Sequence, residues 1–241
     1  TCYCYIVLIV LLPFRFIGVE GASAFEAGLM MLALSAPMLV VPMMAASLTR
    51  WLSAGVLCAI GFVIAAAGLY WLSVIPVGAH GQIIAAMLVT GIGTGLPWGL
   101  MDGLSISVIP KERAGMAAGI FNTTRVASEG VALAITVAVL TALVAHHLSL
   151  SAPGGLSAAD YSTIAQRLVM GDIQHASSDA GQIPLTMLRS AYTAGFNTLL
   201  QLLAMFTLFT AAVVFLFLGR QGDVRVGAES APDAARLSSD T

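Results

Sequence analysis

The fold class this sequence predicts is an all-α membrane protein, a bundle of six transmembrane helices. Of its 241 residues 59% are hydrophobic and only 9% charged, where a water-soluble domain carries roughly 25% charged residues, so most of the surface must face lipid. A mean hydropathy of +0.94 agrees. The apolar residues also fall into runs able to cross about 30 Å of hydrocarbon, separated by short joints bearing Gly and Pro.

The first run, 3–12, is interrupted by Pro13 and Arg15 before it reaches the roughly 20 residues of a full span. It follows a threonine with no cationic region ahead of it, which argues against a signal peptide. The chain is therefore expected to start inside a membrane helix, as part of a longer protein. Further spans are expected at 25–48, 52–75, 83–109, 115–145 and 191–218. Gly18, Gly21 and Ser23 break the chain after the first span, Pro76, Gly78 and Gly81 after the third, and Pro110 after the fourth.

Lys and Arg in short loops mark the cytoplasmic side. Arg50, then Lys111 and Arg113, then Arg220, Arg225 and Arg236 all fall on one side of such a bundle. Arg15, Arg167 and Arg189 fall on the other, two of them in or beside one long connection, where charge counts for less. The first span should run outward and the C-terminus should be cytoplasmic. In the long connection, 148–188, Ser157 and Asp160 read as a capping box, and Tyr161, Ile164 and Leu168 share one face. A short amphipathic helix at the membrane surface is expected there. Domain organisation is then a bundle over 1–218 and a tail, 219–241, with too little apolar content to fold.

The fourth span carries Gly91, Gly95, Gly99 and Gly103 at four-residue steps, with Pro97 among them, and the fifth carries Gly115 and Gly119. Small residues at this spacing let helix backbones approach closely in lipid. They serve either tight static packing or helices that slide and bend. In the fifth span Arg125 and Glu129 lie four residues apart in an apolar helix, Arg125 about 15 Å beyond Gly115 at 1.5 Å per residue. A charge near the bilayer centre costs on the order of 3 kcal/mol. Two readings follow, a self-neutralising pair or a pair lining a polar cavity that binds substrate or passes protons. Asp102 in the fourth span is a candidate proton-responsive acid or an anchor for Arg50 or Arg113. Asn197 and Gln201, again four apart, either face the cavity or bond a neighbouring helix. Arg15 and Glu26 are expected to pair across the first joint.

The remaining features narrow the function by exclusion. Cys2, Cys4 and Cys58 lie in apolar runs without zinc-ligand spacing, and His146 and His147 end a span, so no metal site is expected. The methionines of the second span suit lipid-facing packing or an adaptable apolar surface. No nucleophile elbow, phosphate loop, zinc-protease or dinucleotide motif occurs, so neither an enzyme nor a cofactor is expected. No basic stripe exists for nucleic acid.

Residues 91–135, GIGTGLPWGLMDGLSISVIPKERAGMAAGIFNTTRVASEGVALAI, resemble the last helices of the major facilitator superfamily, in particular its fourteen-helix drug:proton antiporter branch. The resemblance rests on a glycine-rich helix, a short basic loop with Pro110, Glu112 and Arg113, a Gly115/Gly119 step, and Asn122 three residues before Arg125. The stretch 18–32 and the long loop before the last helix also resemble that family. Two departures stand out: Ser128 and Glu129 occupy positions where glycine is usual, and the turn at 48–51 lacks the family's fuller Gly, Asp and Arg pattern. The resemblance implies the C-terminal half of a major facilitator fold in a cell inner membrane, facing a missing N-terminal bundle. It implies proton-coupled efflux of drug-like or amphipathic small molecules, and the pathway candidates that this chain's own residues offer are Arg125, Glu129, Asp102, Asn122, Asn197 and Gln201. Export of an endogenous lipid or metabolite, or a non-transporting fragment or scaffold, are the alternatives.

Overall fold

A computed structural model describes residues 3–76, 78–107, 114–151, 157–181 and 183–219. All regular structure among them is helical. Helix α1 (Tyr3–Pro13) passes into a π-helical turn, Phe14–Val19, closed by the Glu20 N–H donating to the Arg15 carbonyl at 2.9 Å. Pro13 has no N–H to give, and the wider turn follows directly after it. Ser23 and Glu26 then form a capping box that starts α2 (Ala24–Ser35), the Ser23 hydroxyl accepting from the Glu26 N–H and the Glu26 carboxylate from the Ser23 N–H. Pro37 opens α3 (Pro37–Leu48), so α2 and α3 together make one span with a break at its middle.

Ser53 caps α4 (Ala54–Val74). Helix α5 (His80–Ser107) contains Pro97, and α6 (Ala114–Ser151) is the longest, at 38 residues about 57 Å. The capping box at Ser157 and Asp160 begins α7 (Ala158–Val169) as expected, and Asp172 caps a further short helix, α8 (Ile173–Asp179), that the sequence did not suggest. Helix α9 (Leu185–Val214) ends in a second π-helical turn, Phe215–Gly219. Among the described residues five helical stretches are long and apolar enough to cross a membrane, and Tyr3–Val19 is a shorter apolar one. The chain is an all-α, multi-pass membrane protein.

Two boundaries differ from the sequence expectation. Helix α6 runs on to Ser151 and α9 begins at Leu185, so most of the long connection is helical. Arg189 interrupts the apolar run four residues after the start of α9, and Pro184 stands at its N-cap. The apolar face of α7 is also spent differently. Tyr161, Ile164, Leu168 and Val169 are buried against protein, where α7 packs on α6 and on the first π turn. The tail 220–241 and the loop 108–113, with Lys111 and Arg113, lie outside the described residues.

Small residues set the packing of α5. A Cβ on Gly93 would stand 2.7 Å from Ala65 Cα, and one on Gly61 would stand 2.7 Å from Pro97 Cδ. On its other side a Cβ on Gly95 would meet Val41 at 3.0 Å, one on Gly99 would meet Pro42 at 2.7 Å, and Gly91 abuts the Leu34 carbonyl. Helix α5 is thereby held between α4 and the α2–α3 span at distances no larger side chain allows. A continuous core with Leu8, Leu12, Phe16, Leu34, Leu140 and Phe196 fills the end that carries α7 and α8, the α7 end below. A smaller one around Val41, Leu57 and Leu100 fills the opposite end.

Candidate functional site

Two separate polar groups lie inside this apolar bundle. The first is on α6. The helix makes its own geometry here, because residues three and four apart share a face. Arg125 donates from Nη2 to Asn122 Oδ1 at 3.0 Å, and its Nε lies 3.8 Å from Glu129 Oε1. The pair is an ion pair rather than a short hydrogen bond, and Glu129 Oε1 is buried with no hydrogen bond among the described residues. Both side chains are largely covered, 27% exposed for Arg125 and 18% for Glu129.

Residues that sequence reasoning missed complete this group. The Arg125 guanidinium carbon sits 5.5 Å from the centroid of the Trp98 ring of α5, within cation–π range. Tyr5 of α1 meets Trp98 edge-on at 5.6 Å and its hydroxyl lies 3.1 Å from Ser35 Oγ of α2. Four helices therefore contribute to one polar and aromatic surface. It can take a ligand with an apolar body and a hydrogen-bond donor or positive charge, with the Glu129 carboxylate as its anionic group. The half of α6 that carries it is little covered: Met116, Ile120, Val126, Val131 and Ile135 are all exposed, while Leu140, Val144 and Leu148 farther along are fully buried.

The second group lies at the α7 end. Arg15, 2% exposed, donates from Nε to Glu20 Oε1 at 2.8 Å, and its guanidinium carbon stands 5.0 Å from the Phe196 ring centroid of α9. The expected Arg15–Glu26 pairing is thus corrected: the π turn brings Glu20 back toward Arg15, while Glu26 is committed to capping α2. Asn197 lines a cavity of about 500 Å³ beside Glu20, and its buried Oδ1 has no hydrogen-bond partner among the described residues. Gln201 follows one turn later on α9 and is exposed.

Asn197 and Glu129 do not share a site. Gly195 packs on Val144, where a Cβ would lie 2.9 Å from Val144 Cγ2. From Val144 back to Glu129 the helix covers fifteen residues, about 22 Å along its axis. Of the glycines, Gly91, Gly95 and Gly99 are at close helix contacts, as is Gly61 against Pro97, whereas Gly115 and Gly119 have nothing within 4 Å of a built Cβ. Asp102 and Gly103 belong to α5, but beyond that backbone assignment they lie outside the described residues.

With this geometry in hand, comparison with known proteins gives one informative relative. The chain is 36% identical over 125 residues to YebQ of Escherichia coli (strain K12), an uncharacterized transporter. That relative is a transporter by name. The match takes in 51% of this chain and 27% of YebQ, so the chain corresponds to about a quarter of its relative's length. No family model matches. The chain is therefore a multi-pass membrane protein similar in part to a transporter.

Proposed function

We propose that these helices form one bundle of a secondary active transporter of the major facilitator kind, in the fourteen-helix drug:proton antiporter branch, exporting drug-like or amphipathic small molecules against protons. The observation that carries the reading is the group on α6. An ion pair four residues apart, backed by Trp98 and Tyr5, sits on the half of a membrane-spanning helix that the described residues leave largely exposed. Ionisable groups inside a span are costly and mark pathways for substrates and protons. The motif resemblance of 91–135 and the similarity to YebQ support transport.

In this reading an N-terminal bundle covers the open half of α6, and substrate binds between the two near the bilayer midplane. Glu129 takes up a proton, which weakens its hold on Arg125, while Asn122 and the Trp98 ring keep the guanidinium in place. Asp102 is a second acid on the route. Gly91, Gly95, Pro97 and Gly99 let α5 bend or slide, and the C-terminus lies on the cytoplasmic side of the inner membrane. Cells expressing the full-length protein should extrude a fluorescent cationic dye only while the proton gradient stands. Arg125→Ala and Glu129→Gln should each abolish extrusion at unchanged membrane protein levels, and full extrusion by both variants would refute the site.

A further inference from the structure

The cavity at the α7 end, about 20 Å from Glu129 along the bundle axis, has a chemical bias of its own. Ser190 Oγ donates to the Met187 carbonyl at 2.9 Å, and Thr193 Oγ1 donates to the Arg189 carbonyl at 2.8 Å. Both hydroxyls have thus used their only proton on the helix and offer lone pairs to the cavity. Asn197 brings a side-chain amide whose Oδ1 is buried with no donor among the described residues, and Glu20 a carboxylate that is 12% exposed, with Oε1 held by Arg15. Apart from the Asn197 NH2 the interior is therefore lined by acceptors, and a buried acceptor left without a donor is costly. Tyr192, fully buried beneath with its hydroxyl unpartnered among the described residues, lies within electrostatic reach of the same Arg15–Glu20 pair. At the mouth stands Arg189, exposed and with no carboxylate in ion-pair range among the described residues.

Acceptors inside and a lone cation at the mouth fit a zwitterion. We propose that the cleft between the first π turn and α9 binds a primary ammonium group, donating its N–H bonds to Asn197, Thr193 and Glu20, with a neighbouring phosphate held by Arg189. A cavity of about 500 Å³ is of ligand size. The same chemistry is carried by the headgroup of an aminophospholipid and by soluble phosphoethanolamine.

The test uses the full chain purified in detergent, titrated with short-chain phosphatidylethanolamine, phosphatidylcholine and phosphatidylglycerol of matched acyl length, and read by native mass spectrometry. Phosphatidylcholine has a cation but no N–H donors, and phosphatidylglycerol has the phosphate and neutral hydroxyl donors but no cation. Phosphatidylethanolamine should bind about tenfold more tightly than either, and Asn197→Leu or Thr193→Val should each remove most of that preference. Both variants keep the helix, so loss of preference with retained α4–α5 stability is not misfolding. Displacement of the lipid by millimolar phosphoethanolamine would support the soluble source, and retention of the lipid would support the headgroup. Equal affinity for the choline and ethanolamine lipids, or a preference untouched by Asn197→Leu, would overturn the assignment whatever happens to dye extrusion.

Discussion

Replacing Gly61 by alanine tests the claim that small residues, rather than apolar burial, hold α4 on α5. A Cβ at this position would lie 2.7 Å from Pro97 Cδ, 2.8 Å from the Gly93 carbonyl oxygen and 2.9 Å from Leu96 Cβ. Ordinary carbon contacts optimise near 3.5–4.0 Å, so the helices must separate by about 1 Å. None of the three neighbours is the free end of a flexible side chain, so overpacking should cost about 1–3 kcal/mol. Alanine also gains up to about 1 kcal/mol of helix propensity over glycine, so a control must carry the same gain without the clash. Gly28 supplies it, being helical with nothing within 4 Å of a built Cβ. The reporter is Cys58, fully buried on α4 three residues before Gly61, with Cys2 and Cys4 replaced by serine. A thiol-reactive dye should label Cys58 at lower temperature in Gly61→Ala than in Gly28→Ala, with the two separated by about 2 kcal/mol. Coincident labelling curves would refute close helix approach at this interface.

Other expectations follow from the same geometry. Arg15→Ala leaves Glu20 uncompensated in a buried setting and should destabilise the bundle by about 3–5 kcal/mol, visible as a lowered thermal midpoint, while an unchanged midpoint would show that the pair does not anchor the π turn. Hydrogen bonds from the Ser157 hydroxyl and N–H hold the Asp160 carboxyl below its usual range. A lowered folded value means that the cap's contribution is present above the unfolded value of about 3.9 and fades as pH falls through the folded one. Protection from amide exchange over 157–169, measured relative to the intrinsic rate at each pH, should therefore fall on acidification in the wild type, and Ser157→Ala should lower protection at neutral pH and blunt that dependence. A C-terminal reporter fused to the full-length protein should be active in the cytoplasm, and activity on the far side would reverse the orientation read from Arg50 and Lys111.

What could be read in the sequence was what depends on local pattern. Spans announce themselves by length and hydropathy, the α7 capping box by Ser157 and Asp160 three apart, and the close contacts of α5 by glycines four apart. What escaped depends on residues distant in the chain. Nothing near Trp98 or Tyr5 indicates that they meet beneath Arg125, because those contacts join α1, α5 and α6. The partner of Arg15 was misread because a π turn returns the chain one residue later than an α-helical turn would, which favours Glu20 over Glu26. Asn197 and Gln201 had the same four-residue spacing as Arg125 and Glu129, yet spacing within a helix fixes a face and not a depth, and the antiparallel run of α9 puts them near the opposite end.

Gly115, Gly119 and Gly130 have nothing within 4 Å of a built Cβ, and each glycine costs a helix interior about 1 kcal/mol relative to alanine. Three such residues on one half of α6 weaken a helix while gaining no close contact among the described residues. Under the proposed function the compensation is close approach of the N-terminal bundle, and that gives opposite expectations for one substitution in two settings. Gly119→Leu should leave the thermal midpoint of this chain unchanged or raised, because the new side chain enters open space and leucine is the better helix former. In the full-length protein the same leucine should stand between the two bundles, and dye extrusion should fall about tenfold or more, as displacements of about 1 Å in a transport or catalytic geometry can cost far more than that. Loss of stability in the isolated chain would mean that the face is already occupied from within. Retained extrusion in the full-length protein would mean that the face carrying Gly119 meets lipid, and the bundle would then have to dock through another side of α6.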